Sequence, residues 1–340
     1  MYEKDRRIVI TLDAGGTNFV FGAVQGDRFV VEPITLPSNS DRLDRCLETM
    51  VEGFRTVIGR LPEQPAAISF AFPGPADYPR GIIGGYLPNF PSFRDGVALK
   101  DFLEERFGIP TFINNDGDLY AYGEALAGAF GVGIVSDNRL HIGDNSCVET
   151  FCLRHKDLPD INVEEGVSIR AVKRLYAEYA GVDDDTLDPK AIFEIAEGER
   201  PGDADAARRA FARFGEVAGD AMATAVTLID GLIVIGGGIT AARKYILPSL
   251  LAEMRGSLHT FSGETLPRVQ MKVYDLDDAT QFAAFAQGDS RRIKVYGSDR
   301  EIVYDPQKRI GVMTSHIGAS RAISLGAYAF ALNSIDRDAR

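Results

Sequence analysis

The clearest signal in the chain is Leu12-Asp13-Ala14-Gly15-Gly16-Thr17-Asn18, which directly follows the apolar run Ile8-Val9-Ile10-Thr11. The apolar run predicts a buried strand, and residues 19–24 predict a second strand immediately after the turn. This pattern indicates a β-hairpin, whereas a P-loop or a dinucleotide fingerprint would continue into a helix. Glycines admit positive φ and close backbone approach, so their N–H groups can face an anion beside Asp13. The residues indicate a metal–nucleotide phosphate site, with an ordinary glycine-containing hairpin as the alternative.

Composition restricts the class of protein. The chain has 340 residues, 45% of them hydrophobic, which favours two lobes with a core each. Its formal net charge is −12 and it has no dense Lys/Arg run, so neither nucleic acid nor a membrane is an expected partner. The charged N-terminus does not resemble a signal peptide and no apolar segment is long enough to span a membrane, so we expect a cytoplasmic protein. Cys46, Cys147 and Cys152 form no disulfide framework, and inert thiols are expected rather than a metal site with His155.

Strand and helix patterns alternate along the chain. The first 35 residues predict three strands, and the segments that follow predict a helix at 40–60, a strand at 66–72, a helix at 99–108 and a strand at 111–113. The second half predicts hairpin strands near 133–142, helices at 164–180 and 205–229, a strand at 232–235, inserted hairpins between 265 and 310, and a helix from 317 to 332. Strand–helix–strand order predicts an α/β sheet, whose ligands bind at the carboxyl ends of the strands.

A second group of polar residues follows the strand at 111–113. Asn115 and Asp116 lie at its carboxyl end, where Asp116 can accept a proton from a substrate hydroxyl while Asn115 holds a neighbouring hydroxyl. A cap or turn role for Asp116 is the alternative. Asp118 is expected to be the N-cap of a helix that continues from Leu119.

A third group, Gly236-Gly237-Gly238, follows the apolar strand at 232–235. Its Gly-x-Gly-x-x-Ala pattern permits a dinucleotide-binding interpretation, with Glu253 as the ribose-binding acid and a dinucleotide-binding oxidoreductase as the function. The same glycines could instead give an adenosine a flat surface free of side chains.

Taken in order, these groups resemble the ROK family of sugar kinases in the actin-like, hexokinase-like ATPase superfamily. The resemblance runs from about Ile8 to Asn333, and its most specific segments are Leu12 to Thr17, Phe72-Pro73-Gly74-Pro75, Pro88-Asn89-Phe90-Pro91, Asn115-Asp116 and Ile235 to Gly238. It implies an α/β protein with the two-lobed actin-like ATPase (ribonuclease H-like) fold and a cleft between the lobes. The N-terminal lobe would comprise residues 1–117 and 318–340, and the C-terminal lobe residues 118–317.

The resemblance also implies a reaction: ATP-dependent phosphorylation of a hydroxyl of a hexose or N-acetylhexosamine, by a homodimer. Asp116 would be the general base, and Asp13 would orient Mg²⁺ through water; such transfer depends chiefly on positioning and charge neutralisation. The implied sugar-binding residues are Gly74, Asn89, Asn115, Glu149 and Glu164. The implied nucleotide-binding residues are Asp13, Gly15, Gly16, Thr17, Gly131, Gly133, Gly236, Gly237 and Gly238.

The chain departs from the family pattern in two places. Cys152 stands where a His is expected after Glu149, and residues 154–162 replace the zinc-binding cysteine loop, so no structural zinc is expected. Glu164 matches the second sugar-binding carboxylate, with a first-turn helix acid as the alternative. Residues 127–133 leave no room for the strand that normally precedes the second phosphate turn. These departures keep open a non-catalytic, sugar-binding relative that acts as a sensor.

Overall fold

The computed structural model describes residues 2, 4–74, 76–85, 87, 89–116, 118–119, 133–136, 139–141, 152–183, 186–294 and 299–338. The helices with described bounds are α1 (Leu43–Ile58), α2 (Leu99–Phe107), α3 (Ile169–Ala180), α4 (Pro189–Glu197), α5 (Ala204–Ile229), α6 (Arg243–Met254), α7 (Ala279–Gln287) and α8 (Ala319–Asp338). None of them is long and apolar enough to cross a bilayer.

The strands of the described residues are short after the first two. They are β1 (Ile8–Ala14), β2 (Asn18–Gln25), β3 (Arg28–Phe29), β4 (Ile34–Pro37), β5 (Ala67–Ala71), β6 (Ala76–Asp77), β7 (Ile82–Ile83), β8 (Val97–Ala98), β9 (Thr111–Asn114), β10 (Ile134–Ser136), β11 (Arg139–His141), β12 (Ile233–Ile235), β13 (Ser257–His259), β14 (Thr265–Pro267), β15 (Lys272–Asp275), β16 (Arg291–Lys294), β17 (Glu301–Tyr304) and β18 (Arg309–Thr314). The chain divides into two compact units. Among the described residues, unit 1 holds those up to 119, those at 133–141 and those from 317 onward, and unit 2 holds 152–316.

Unit 1 is built on a sheet of order β3-β2-β1-β5-β9, with β4 also paired to β2. β1 and β2 are antiparallel, which confirms the hairpin expected around Gly15 and Gly16. β1, β5 and β9 run parallel, and their pairing places Asp13 opposite Ala71 and Ala71 opposite Asn114. The carboxyl ends of these three strands therefore lie side by side at one edge of the sheet.

The two faces of this sheet are covered by different helices because side chains alternate along a strand. Ile8, Ile10 and Leu12 of β1 belong to the core that contains the buried residues of α1 and α2. Val9 points the other way and packs with Tyr328 of α8. The Tyr328 hydroxyl accepts a hydrogen bond from the Gly26 N–H at 2.9 Å and donates one to the Arg7 carbonyl at 3.2 Å, which ties α8 to the sheet.

Unit 2 contains a parallel sheet of order β12-β18-β15 and a group of packed helices. In α5, a Cβ at Gly215 or Gly219 would collide with the backbone carbonyl of Ile246 or Leu250. The backbones of α5 and α6 can approach this closely only because these α5 positions are glycines.

The structure corrects several expectations about secondary structure. The hairpin expected near 291–304 is confirmed as β16–β17, but β15 and α7, also within 265–310, are not inserted hairpins. β15 pairs with β18 in the parallel sheet, a partner that its four residues do not identify. The third predicted strand is divided into β3 and β4, helices α4 and α6 were not predicted, and α8 continues past the expected end at Leu332.

The expected N-cap at Asp118 is also wrong. Asp116 and Asp118 are already helical, and the Leu119 N–H donates to the Asn115 carbonyl at 3.1 Å. The helix begins directly after β9, so Asp118 lies within its first turn. A carboxylate there is still favoured because it faces the positive end of the helix dipole.

Candidate functional site

The turn between β1 and β2 is held from one side by two serines. The Gly16 carbonyl accepts hydrogen bonds from the hydroxyls of Ser38 at 2.5 Å and Ser40 at 2.9 Å. The Ser38 N–H donates to the Thr17 carbonyl at 2.9 Å. The Gly16 carbonyl and the Thr17 N–H belong to the same peptide group, and in a trans peptide these two groups point in opposite directions. The Thr17 N–H therefore points away from the serines. This fixed amide provides a donor of the type that binds a phosphate oxygen.

The glycines of this turn are required by close packing. Neither Gly15 nor Gly16 has a positive φ, so that part of the expectation was wrong. A Cβ at Gly15 would lie 2.9 Å from the Asn18 carbonyl oxygen, and one at Gly16 would lie 2.9 Å from Cβ of Asn89. The structure thus brings Asn89, an expected sugar contact, directly against Gly16 of the expected phosphate turn.

Tyr78 connects two other expected sugar contacts. Its side chain is buried, with 5% exposure, and its hydroxyl donates to the Phe72 carbonyl at 2.9 Å. The same hydroxyl accepts a hydrogen bond from Nδ2 of Asn115 at 3.4 Å. A Cβ at Gly74 would lie 2.9 Å from it, so a larger residue at 74 would displace the hydroxyl. Tyr78 was not predicted, because its role depends on contacts with residues on separate strands and loops.

The two expected acids of unit 1 lie at the same sheet edge. Asp13 is half-buried near the end of β1, and Asp116 is exposed at the start of the helix that follows β9. Asp13 and Asn114 both lie opposite Ala71 of the central strand, one on each side. A metal-orienting carboxylate and a base can therefore both be supplied by this edge.

The expected adenosine-binding glycines lie in unit 2, directly after β12. Gly237 has a φ of 82°, a backbone conformation that favours glycine. A Cβ at Gly238 would meet nothing within 4 Å, so this residue faces open space. A backbone surface of this kind fits the flat face of a nucleoside.

The dinucleotide-binding interpretation of these glycines is wrong. A 3-10 turn over Gly238–Ala242 separates β12 from α6, whereas the fingerprint requires a direct strand-to-helix turn. Glu253, the expected ribose-binding acid, instead pairs with Lys156, its carboxylate oxygen lying 2.8 Å from Nζ.

The remaining expected contacts are Glu164, Gly133, Gly131 and Glu149. Glu164 lies in a 3-10 turn and its carboxylate is 3.4 Å from the Arg170 guanidinium, with 23% of the side chain exposed. Gly133 precedes β10 and is half-buried. Gly131, Glu149 and most of the compressed segment 127–133 lie outside the described residues.

Backbone hydrogen bonds hold residues 154–162, the segment expected to replace the zinc loop. The His155 N–H donates to the Ile161 carbonyl at 2.8 Å, and the Val163 N–H donates to the Leu153 carbonyl at 2.7 Å. Nδ1 of the buried His155 ring accepts from the Asp157 N–H at 3.2 Å, and burial lowers the pKa of His155. Within the described ranges, no group of three or more His, Cys, Asp or Glu side chains is arranged to hold a metal ion.

Comparisons with known proteins bear on the family and the fold. A family model described as the ROK family matches residues 9–151. A crystal structure of a glucokinase from Parabacteroides distasonis is 53% identical to this chain, with a TM-score of 0.88, and the alignment covers 98% of this chain and 99% of that one. A beta-glucoside kinase from Klebsiella pneumoniae is 24% identical over 257 residues, which are 68% of this chain and 82% of that protein. A xylose repressor from Bacillus spizizenii is 29% identical over 164 residues, which are 42% of this chain and 41% of the repressor.

The fold is therefore the two-lobed actin-like ATPase fold, and the class of protein is that of the ATP-dependent sugar kinases. Within that class, the chain belongs to the ROK family.

Proposed function

We propose that this protein transfers the γ-phosphoryl group of ATP to a hydroxyl of a hexose or N-acetylhexosamine, with Asp116 as the general base. The observation that carries the proposal is the register of β1, β5 and β9. It brings Asp13 and the Asn115-Asp116 pair to one sheet edge. The contact of Asn89 with Gly16 supports the proposal, because it joins a sugar-binding residue to the phosphate turn.

Each residue of this edge has a distinct role in the proposed reaction. The exposed Asp116 accepts the proton of the attacking hydroxyl, and Asn115, held by Tyr78, fixes a neighbouring hydroxyl. The Thr17 amide binds a phosphate oxygen, and Asp13 would hold Mg²⁺ through its water shell. When bound, Mg²⁺ neutralises the negative charge that the phosphoryl group carries during transfer.

The proposal extends to residues and properties that the family resemblance implies. Glu149 and Glu164 bind sugar hydroxyls, Gly131 and Gly133 form the second phosphate turn, and Gly236 to Gly238 receive the adenosine. The proposal includes a homodimer, and its use of ATP is consistent with the expected cytoplasmic location. Because the relative with 53% identity is a glucokinase, glucose is the first sugar to test, followed by other hexoses and N-acetylhexosamines.

The test is a coupled assay of ADP release with MgATP and this panel of sugars. We expect turnover on at least one sugar, and Asp116→Asn should lower kcat about 10²- to 10⁴-fold, the usual contribution of a general base. The matched control is Asp101→Asn, an exposed Asp in the first turn of α2, which should leave kcat unchanged. The proposal fails if the wild type phosphorylates no sugar, or if Asp116→Asn is as active as the wild type.

The sensor alternative makes a different prediction. A non-catalytic sensor would bind a sugar in a calorimetric titration and bind no ATP. The full-length similarity to a glucokinase favours the kinase, since the xylose repressor aligns with less than half of this chain.

A further inference from the structure

The parallel sheet of unit 2 also collects polar groups at one edge. β12, β18 and β15 are parallel, so their carboxyl ends lie together. Gly236 follows β12, Thr314 ends β18, and Asp277 lies shortly after β15. The Ser315 N–H donates to the Ile235 carbonyl at 2.7 Å, which fixes the end of β18 against the end of β12. The expected adenosine surface thus shares its edge with a second cluster of side chains.

Asp277 is the centre of this cluster. Its side chain is only 9% exposed, and its carboxylate accepts hydrogen bonds from the Thr314 hydroxyl at 2.6 Å and from the Thr314 N–H at 3.1 Å. Nη1 of Arg243 lies 3.3 Å from the same carboxylate, and Nε2 of His316 lies 3.6 Å from its other oxygen. A nearly buried anion therefore lies beside a half-exposed guanidinium and an exposed imidazole at the strand ends.

Arg243 is the member of the cluster best placed to meet a ligand. It is the first residue of α6, immediately after the 3-10 turn that begins at Gly238. Nη1 is fixed by Asp277 and by the Thr314 hydroxyl, 3.2 Å away, but the side chain is 50% exposed. Nε and Nη2 have no hydrogen-bond partner in the part of the chain that the structure describes. A guanidinium anchored at one nitrogen presents its planar face and remaining donors to whatever occupies the neighbouring surface.

We propose that Arg243 binds the adenosine part of the donor nucleotide and that Asp277 is the positioning residue that holds the guanidinium in place. The inference rests on the proposed function, in which Gly236 to Gly238 receive the adenosine. A planar cation stacks favourably on an aromatic base, and the Gly238 backbone leaves that base room to approach. Asp277 offsets the entropic cost of ordering a long side chain, because it fixes Arg243 before the nucleotide binds.

The experiment measures nucleotide binding directly, by calorimetry with AMPPNP and with AMP. In Arg243→Gln, we expect the Kd of both nucleotides to rise about tenfold, because each contains the adenosine that Arg243 contacts. Asp277→Asn should raise both Kd values about threefold, since Arg243 remains present but loses its charged anchor. Arg243→Lys should restore only part of the affinity, because an ammonium keeps the charge without the planar face.

The matched control is Lys244→Gln. Lys244 is the next residue of α6, is similarly exposed at 54%, and is also paired with a carboxylate, since Nζ lies 2.6 Å from Glu197. Its partner is on α4 and not at the strand ends, so the Kd values should not change. A purely structural role for the cluster would lower the unfolding temperature while the folded protein kept its nucleotide affinity.

Each outcome decides the inference. Unchanged AMPPNP and AMP binding in Arg243→Gln overturns it, and weaker binding of AMPPNP alone overturns the assignment to adenosine in favour of the phosphates. If Asp277→Asn does not fold, Arg243→Gln, whose side chain is half-exposed, still decides the role of Arg243. A wild type that binds AMPPNP but phosphorylates no sugar would refute the proposed function and leave the binding test intact. A wild type that binds neither nucleotide overturns this inference as well.

Discussion

Replacing Tyr78 by Phe removes a single oxygen from the point where expected sugar contacts of unit 1 meet. The buried ring keeps its packing, since only the hydroxyl is lost. That hydroxyl donates to the Phe72 carbonyl at 2.9 Å and accepts from Asn115 at 3.4 Å. The substitution therefore tests whether Asn115 depends on Tyr78 for its orientation.

The structure sets the expected magnitudes. Loss of a buried donor leaves the Phe72 carbonyl without this partner, which should lower the free energy of unfolding by about 1–3 kcal/mol. This is small beside a typical total of about 5–15 kcal/mol, so the variant should fold. If the Asn115 amide, without its contact to Tyr78, shifts and loses one hydrogen bond to the sugar, worth about 0.5–1.5 kcal/mol, the KM for sugar should rise about 2- to 12-fold. The KM for ATP should not change.

The assay is ADP release with the sugar varied at saturating MgATP and then ATP varied at saturating sugar, beside urea unfolding of the same variant. Tyr274→Phe is the matched control, because Tyr274 is 4% exposed and its hydroxyl also donates at 2.9 Å, to Gln307 in unit 2. It should lose similar stability and keep the KM for sugar. The reasoning is refuted if Tyr78→Phe is less stable but binds sugar as the wild type does, or if both variants raise the KM equally.

Two further predictions test other parts of unit 1 and unit 2. In Gly16→Ala, the new Cβ would lie 2.9 Å from Cβ of Asn89, so we expect the KM values for ATP and for sugar both to rise, by about tenfold or 1.4 kcal/mol of binding free energy, in steady-state kinetics. Burial lowers the pKa of His155 from its usual value of 6.5. As the pH falls, the unfolded chain therefore takes up this proton before the folded protein does, and the free energy of unfolding should decrease below pH 6.5. Urea titrations at several pH values should show this loss in the wild type, and His155→Gln should abolish that contribution; an unchanged pH dependence in the variant would assign the loss to other groups.

The parts of the candidate site that one continuous segment supplies could be predicted from the sequence. The β1–β2 hairpin was predictable because strand periodicity continues on both sides of the glycines. The position of Asn115 and Asp116 was predictable because they follow the short strand predicted at 111–113, which the structure shows as β9. Parallel order then brings such strand ends together, which made a shared edge a reasonable expectation.

The contacts that complete the site depend on residues far apart in the sequence. Nothing around Tyr78 indicates that its hydroxyl lies beside Asn115, and nothing around Asn89 indicates that it packs on Gly16. Positive φ was expected at Gly15 and Gly16 and does not occur, whereas close packing against Asn18 and Asn89 requires both glycines. β15 was missed because its four residues are recognisable as a parallel strand only beside β18.

The distribution of charge at the two sheet edges has a consequence for nucleotide binding. The chain carries a formal net charge of −12, which should repel ATP at long range. At physiological ionic strength this repulsion is screened beyond about 8 Å, so groups close to the ligand decide its affinity. The groups proposed to lie close to the ligand are the Thr17 amide in unit 1 and, in unit 2, Arg243 beside its nearly buried partner Asp277. Asp277 is nearly buried, and its carboxylate contacts Arg243 and Thr314. The guanidinium of Arg243 is therefore the charged group of this pair that is exposed. An acidic protein can in this way present a locally favourable surface to an anionic substrate without a basic face that would also bind nucleic acid.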